Sequence, residues 1–437
     1  MNEINELNEL KHLKKLSAIK SNAGVKFLTP AAFPGSHCPM HTALAFSRKI
    51  KGLSTLVIGT PECSTYGRMV IPKAIGKNGE LHWMYVLDSH EVVFGCRDGI
   101  INAVKKMDMH GAKAVLIIVT CVPELIGEDI EGIIYEIQPK IKARLTFVLM
   151  GHFKCNSYPS GSWKTLLALG NLMEQRKASL KTVNVLGRSP EEDHIPMPAI
   201  LSLLEQRGFL LRFLALDSSL EDYLQGADAA VNIVVSPYTQ PLAEMMKQKF
   251  DIPHISLHNV YDVLEIDKAY EEIGERLGIK WGNEFDEDRH HALILQEKAK
   301  KILSGLKFVS AFIGPSMVVP FASYLVGLGM EPLLLHMEEV YPDDKIYIKE
   351  FIAKGYNPNV CHMVNNNSDI PVIEKLSPDI YFGYLAEEKL GFTNVLDIYN
   401  LYGQIGYGRT ICLLTDMLQI FNQHKISEKE ELKNGIA

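Results

Sequence analysis

Seven cysteines, at positions 38, 63, 96, 121, 155, 361 and 412, are the residues of this 437-residue chain with the most chemistry to account for. No two are spaced as CxxC, so a zinc ribbon or a thioredoxin-type redox pair fits poorly. Three stand out by their surroundings. Cys121 directly follows the apolar run AKAVLIIVT, and Cys63 lies four residues beyond LSTLVIG, in Thr60-Pro61-Glu62-Cys63. Cys38 closes the loop Pro34-Gly35-Ser36-His37-Cys38 just ahead of Pro39, a residue suited to open a helix. In open α/β sheets, ligands gather beyond the carboxyl ends of the strands. Thiolates in such loops can hold an iron–sulfur cluster. Packed thiols are the competing reading, because free cysteine is among the most buried residue types.

Three cysteines leave a cubane one ligand short. The fourth ligand would come from a partner chain, from Cys155 in Gly151-His152-Phe153-Lys154-Cys155, or from a group other than cysteine. His37 and His41 flank Cys38 and could tune a cluster by hydrogen bonding, although such histidines are more often ordinary loop or helix residues. Cys96, Cys361 and Cys412 lie in apolar or helical settings and read as core. His290-His291 sits in a charged helical stretch and reads as solvated. Glu124, Glu128 and Asp129 read as acidic residues opening a helix after Cys121, where they offset its dipole.

The elements that must position these residues are short β-branched runs alternating with amphipathic helical stretches. Candidate strands form three sets: Leu53–Gly59, Ala112–Thr120 and Leu145–Met150; Lys181–Gly187, Phe209–Leu216, Ala229–Val235 and Ile252–Leu257; Lys307–Gly314, Glu331–Met337, Asn359–Val364 and Asp379–Tyr384. Apolar runs of this length indicate parallel sheets covered on both faces. The expectation is an α/β fold of three doubly wound, Rossmann-like domains around a shared cleft. Its parts would be an N-terminal helical extension (1–24), a domain carrying the cluster cysteines (25–170), a second (171–305) and a third (306–425) α/β domain, and a solvated tail (426–437).

Hydrophobic residues make up 47% and charged residues 22%, the balance of a globular protein with sizeable cores. A net charge of -7 and a pI near 6.1 argue against a nucleic-acid footprint, which is normally basic. No apolar run reaches membrane-spanning length, and the start MNEINELNELKHLKKLSAIK lacks a signal peptide's apolar segment. A cytoplasmic location is therefore expected, where disulfides are disfavoured. No P-loop occurs, and Gly403-Gln404-Ile405-Gly406-Tyr407-Gly408 does not match the dinucleotide fingerprint.

The segments around the three cysteines resemble the nitrogenase component 1 family. Ile58-Gly59-Thr60-Pro61-Glu62-Cys63 is similar to its H-G-P-x-G-C turn, with Cys38 in the earlier cysteine's place and Glu62 where the family has Gly. Glu91-Val92-Val93-Phe94-Gly95-Cys96 resembles D-V-V-F-G-G, and Thr120-Cys121-Val122-Pro123-Glu124-Leu125-Ile126-Gly127-Glu128-Asp129-Ile130 resembles T-C-x-x-E-x-I-G-D-D-I. Phe250-Asp251-Ile252-Pro253 is similar to the K-Y-G-I-P ending of a helix, and Ile313-Gly314-Pro315-Ser316 with Leu328-Gly329-Met330-Glu331-Pro332 resembles the opening of the family's third domain. The resemblance covers roughly residues 30 to 420.

It implies an oxidoreductase subunit whose Cys38, Cys63 and Cys121 bind a 4Fe–4S or larger cluster shared across an interface; Cys155, by its place just after the run LTFVLM, is a further cofactor-binding candidate. A homologous component 1-like subunit would complete the cluster, and a separate ATP-dependent iron protein would deliver electrons for relay to a substrate or second cofactor. The family's large active-site cofactor is held by one Cys and one His. Here the Cys position falls at or near Ser236, and the stretch from Asn394 to Gly403 contains no His. The resemblance therefore implies a cluster-sharing subunit or a relative that reduces other substrates. A non-catalytic cofactor-assembly scaffold and a tetrapyrrole-type reductase subunit are the alternatives.

Overall fold

A computed structural model describes residues 10–20, 24–30, 38–155, 158–311, 317–383, 394–398 and 401–434, the side chains of 366 and 422–434 excepted. It divides into two compact units, one of residues 35–194 with 204–255, the other of 1–34, 195–203 and 256–437.

The first unit holds two sheets. In one the strand order is His82–Val86, Leu53–Gly59, Ala114–Val119, Arg144–Leu149, all parallel. Ala114–Val119 is buried along its whole length, and alternate residues feed two cores. Val115, Ile117 and Val119 pack with Leu56 and Ile58 on one face, and Leu116 and Ile118 pack with Val57 and Met150 on the other. Each fully buried Ile or Leu contributes about 1.5–3 kcal/mol, which is why a parallel sheet covered on both faces reads as a continuous apolar run. His82–Val86 is the strand the apolar pattern does not reveal. It lies at the sheet edge, with four residues half-buried and Val86 exposed, so HWMYV carries no β-branched run. The second sheet runs His254–Ser256, Ala229–Val234, Ser179–Leu186, Leu210–Leu214.

The other unit holds the third sheet, in the order Lys14–Lys15, Asn359–His362, Glu331–His336, Lys307–Ser310, Ile380–Phe382, Val395–Leu396, with Lys26–Phe27 also beside Asn359–His362. Lys14–Lys15 pairs antiparallel and the other pairs are parallel. The expected N-terminal helix is not what residues 10–20 form. They add a two-residue strand and a 3-10 turn to the sheet edge, burying Leu13, Leu16 and Ile19. Pairing with an open edge outweighs a weak local helix propensity. At the other end the helix Gly406–Asn434 extends into the segment expected as a tail. Ile313-Gly314-Pro315-Ser316 and His37 lie outside the described residues. No helix among the described residues is long and apolar enough to cross a membrane.

Candidate metal centre

The three cysteines sit at three helix starts. Cys38 is the N-cap of Pro39–Ser47, with Pro39 at the first helical position. Cys63 is the third residue of Pro61–Val70, so the turn expected around it is already the first turn of a helix. Cys121 opens Cys121–Leu125 behind the N-cap Thr120. Helix starts carry unsatisfied N–H groups and partial positive charge, which suit an anionic ligand placed there. All three side chains are half-exposed.

Strand pairing brings two of them together. Leu53–Gly59 and Ala114–Val119 are neighbours, and the Thr120 hydroxyl and N–H both donate to the Ile58 carbonyl, at 2.8 and 3.1 Å. Cys63 Sγ then lies 3.6 Å from the hydroxyls of Thr60 and Thr120. Gly59 is required at this crossing: a Cβ there would come 2.4 Å from Thr120 Oγ1 and 3.0 Å from Cys63 Sγ. Cys38 joins the pair. Burial pushes its thiol pKa up, the backbone N–H groups of Met40 and His41 pull it down, and Cys121 and Cys63 stand close enough to push it up further.

Cys121 is tied to the next loop. Its Sγ accepts the His152 N–H at 3.2 Å. Glu124 clamps that loop, accepting the Gly151 N–H at 2.6 Å with Oε2 and pairing with Lys154 Nζ at 3.6 Å through Oε1. Of the acidic residues expected to open a helix after Cys121, Glu124 is therefore also a loop clamp. Glu128 accepts the Cys96 N–H at 2.6 Å, and Asp129 is the N-cap of Ile130–Ile137.

Cys155 is buried, with Sγ 3.5 Å from the Leu149 carbonyl and accepting Lys164 Nζ at 3.3 Å. It packs in the core with Met150, Leu166 and Leu169. His41 packs edge-to-face on Tyr66, ring centroids 5.9 Å apart, and its Nε2 has no hydrogen-bond partner among the described residues. Cys96 and Cys361 are buried; burial and then Glu128 push the Cys96 thiol up to about 12, and burial pushes Cys361 up as well. In both, burial favours the protonated thiol. His290 and His291 are exposed.

Among the described residues, no group of three or more His, Cys, Asp or Glu converges on a single metal ion. A cubane makes a different demand, since each thiolate takes its own iron. The donor set here, three gathered thiols at helix starts with hydroxyl and N–H groups beside two of the sulfurs, fits cysteine ligation of such a cluster.

A family model described as nitrogenase component 1 type oxidoreductase matches residues 38–422. The chain belongs to this family. The nitrogenase Cp1 structure at pH 6.5 superposes with a TM-score of 0.66 at 16% identity, covering 94% of this chain and 97% of that one. Nitrogenase Cp1 at pH 5 gives 0.59 at 18%, covering 95% and 94%. At these identities the likeness is one of fold. No curated protein matches the chain in sequence.

Several component 1 motifs acquire structural reasons. Gly95 takes φ +91 so that the following Cys96 N–H can reach Glu128, which joins the EVVFG turn to the Cys121 segment. Asp251 stands where the K-Y-G-I-P ending has Gly, and its φ of +58 is the left-handed helix end that favours Gly. Gly329, at φ +89, turns Val318–Gly327 into the strand Glu331–His336. Ser236 follows Ala229–Val234 and lies against Gly187, where a Cβ would approach Ser236 Cβ to 2.3 Å. What the sequence reading missed is the supporting set: Thr60, Thr120, Glu124 and the His152 N–H. The available signals were the Thr immediately preceding Cys121 and the Glu at position 124 of the same T-C-x-x-E string.

Proposed function

We propose that this chain is the cluster-binding subunit of a two-component, nitrogenase-like oxidoreductase of the cytoplasm, with Cys38, Cys63 and Cys121 as iron ligands. The observation that carries the reading is the convergence of these three thiols from separate helix starts at the carboxyl edge of one sheet. A bound iron–sulfur cluster supplies one-electron transfer between a reductase and a substrate or second cofactor. The chain's own groups prepare for it: the three cysteines stand at helix starts, Thr60 and Thr120 border Cys63, and the His152 N–H donates to Cys121.

A homologous component 1-like subunit completes the ligand set in this reading, and an ATP-dependent iron protein delivers electrons. The rim supports an assembly: Val93, Phe94 and Phe153, on segments that follow strands of the same sheet, are 70%, 75% and 71% exposed. Ser236, and the lack of His from Asn394 to Gly403, support a role other than holding a nitrogenase-type cofactor.

The test is anaerobic purification with iron and sulfide analysis. Brown protein containing both is expected; colourless, iron-free protein after anaerobic reconstitution defeats the reading.

A further inference from the structure

The helices that follow Cys38 and Cys63 leave a gap above the first sheet. Thr55 pairs with His82 and Val57 with Met84, so these four side chains share one face. Pro61–Val70 lies over that face without a single fully buried residue, and Pro39–Ser47 supplies Leu44 beside it. Between them is a cavity of about 500 Å³, within the size range of small-molecule sites. Ser64, Gly67 and Arg68 are one helical turn apart and line the same wall, with Arg68 Nη2 3.5 Å from Ser64 Oγ. A Cβ on Gly67 would meet only Leu44 Cδ1, at 3.5 Å, so this wall is open.

The polarity is uneven. The apolar floor and rear are Val57, Met84 and Leu44, while Arg68 is the one fixed cation of the lining. His82 is a second polar point, its Nδ1 3.0 Å from Thr55 Oγ1; burial lowers its pKa and Glu80 draws it back up. A ligand suited to this arrangement puts hydrocarbon on the floor and one anionic group at the rim.

We propose that this cavity binds an apolar organic anion, its carboxylate or sulfonate pairing with Arg68 and its ring or chain lying on Val57, Met84 and Leu44. This goes beyond the cluster reading and does not depend on it, because the measurement is binding to the full chain, whatever its iron content. Arg68 Cα is five helical residues from Cys63, or about 7.5 Å along the axis, so an occupant would lie close to the candidate metal centre.

The probes are anilinonaphthalene sulfonate, which is anionic, and N-phenylnaphthylamine, its neutral counterpart, titrated by fluorescence into anaerobically purified full-length protein. Both should bind saturably. Gly67→Leu improves helix propensity while filling the space, so it should fold and lose at least about tenfold in affinity for both probes. Arg68→Gln should weaken only the anionic probe, by about fivefold, and remove most of its salt dependence. Undiminished binding in Gly67→Leu would place the probes elsewhere and overturn the proposal. Equal effects of Arg68→Gln on both probes, or none on either, would overturn the anion assignment.

Discussion

Glu124 Oε2 accepts the Gly151 N–H at 2.6 Å, and a Cβ on Gly151 would come 2.5 Å from that same oxygen. The two residues are locked together, and the lock holds the loop whose His152 N–H meets Cys121 Sγ. The carboxylate is 5% exposed, so losing it strands a buried N–H. Glu124→Ala should cost about 1–3 kcal/mol in chemical unfolding and loosen the Cys121 environment. Glu124→Gln keeps an acceptor and should recover much of that loss. A cluster spectroscopic signature that is the same in both variants and wild type would limit Glu124 to stability alone.

The crossing at Gly59 makes a sharper demand. Gly59→Ala must displace Thr120 or Cys63, since the gap to Thr120 Oγ1 is 2.4 Å. We expect loss of stability of about 1–3 kcal/mol and reduced iron content. Gly327→Ala meets nothing within 4 Å and should be neutral or slightly stabilising. Urea midpoints of the two variants, compared side by side, give the answer.

Among the cysteines, Cys38→Ala, Cys63→Ala and Cys121→Ala should each lose bound iron, because alanine has no donor to replace the thiolate. Cys361→Ala and Cys412→Ala should keep it; burial pushes both thiols up, in Cys412 with Asp416 adding to the effect. Equal iron in all five variants would refute the ligand assignment.

His336 predicts a pH dependence of stability. Burial first, and His362 second, lower its pKa to about 4 from an ordinary 6.5. Its Nδ1 accepts the Met363 N–H at 2.8 Å, which requires the neutral ring. The folded state thus binds fewer protons than the unfolded state between these values. Stability is full above pH 6.5 and falls as pH drops toward 4, by up to about 3 kcal/mol from this group. His336→Asn retains an acceptor for Met363 and should flatten the slope in this window. Unfolding curves at several pH values measure it; an unchanged slope would mean that another group titrates.

Assembly is the remaining expectation. Co-expressed with a homologous subunit, the chain should appear in anaerobic native mass spectrometry as a heteromer, with a homodimer as the fallback. Polar replacement of the exposed Phe94 and Phe153 should weaken it. A monomer carrying a complete cluster would point instead to Cys155 or an oxygen ligand within this chain.

The strands beneath the cysteines were legible in the sequence because buried parallel strands are apolar throughout, as AVLIIV at 114–119 is. The cysteines could be singled out as candidates because chemistry is carried by residue type, and because T-C-x-x-E-x-I-G is specific as a string. Edge elements were not. His82–Val86 is half-buried and mixed in character, and Lys14–Lys15 becomes a strand only because Asn359–His362 offers it an edge. Nor could spacing show that residues 58 positions apart, Cys63 and Cys121, share one threonine hydroxyl region, or that Glu124 reaches 27 residues along the chain to hold Gly151. Local periodicity records what each segment buries, whereas contacts between segments follow from sheet order and from the space left by neighbouring side chains. Those are properties of the assembled fold, and they decided which thiols meet, which glycine must stay a glycine, and where the cavity beside Arg68 opens.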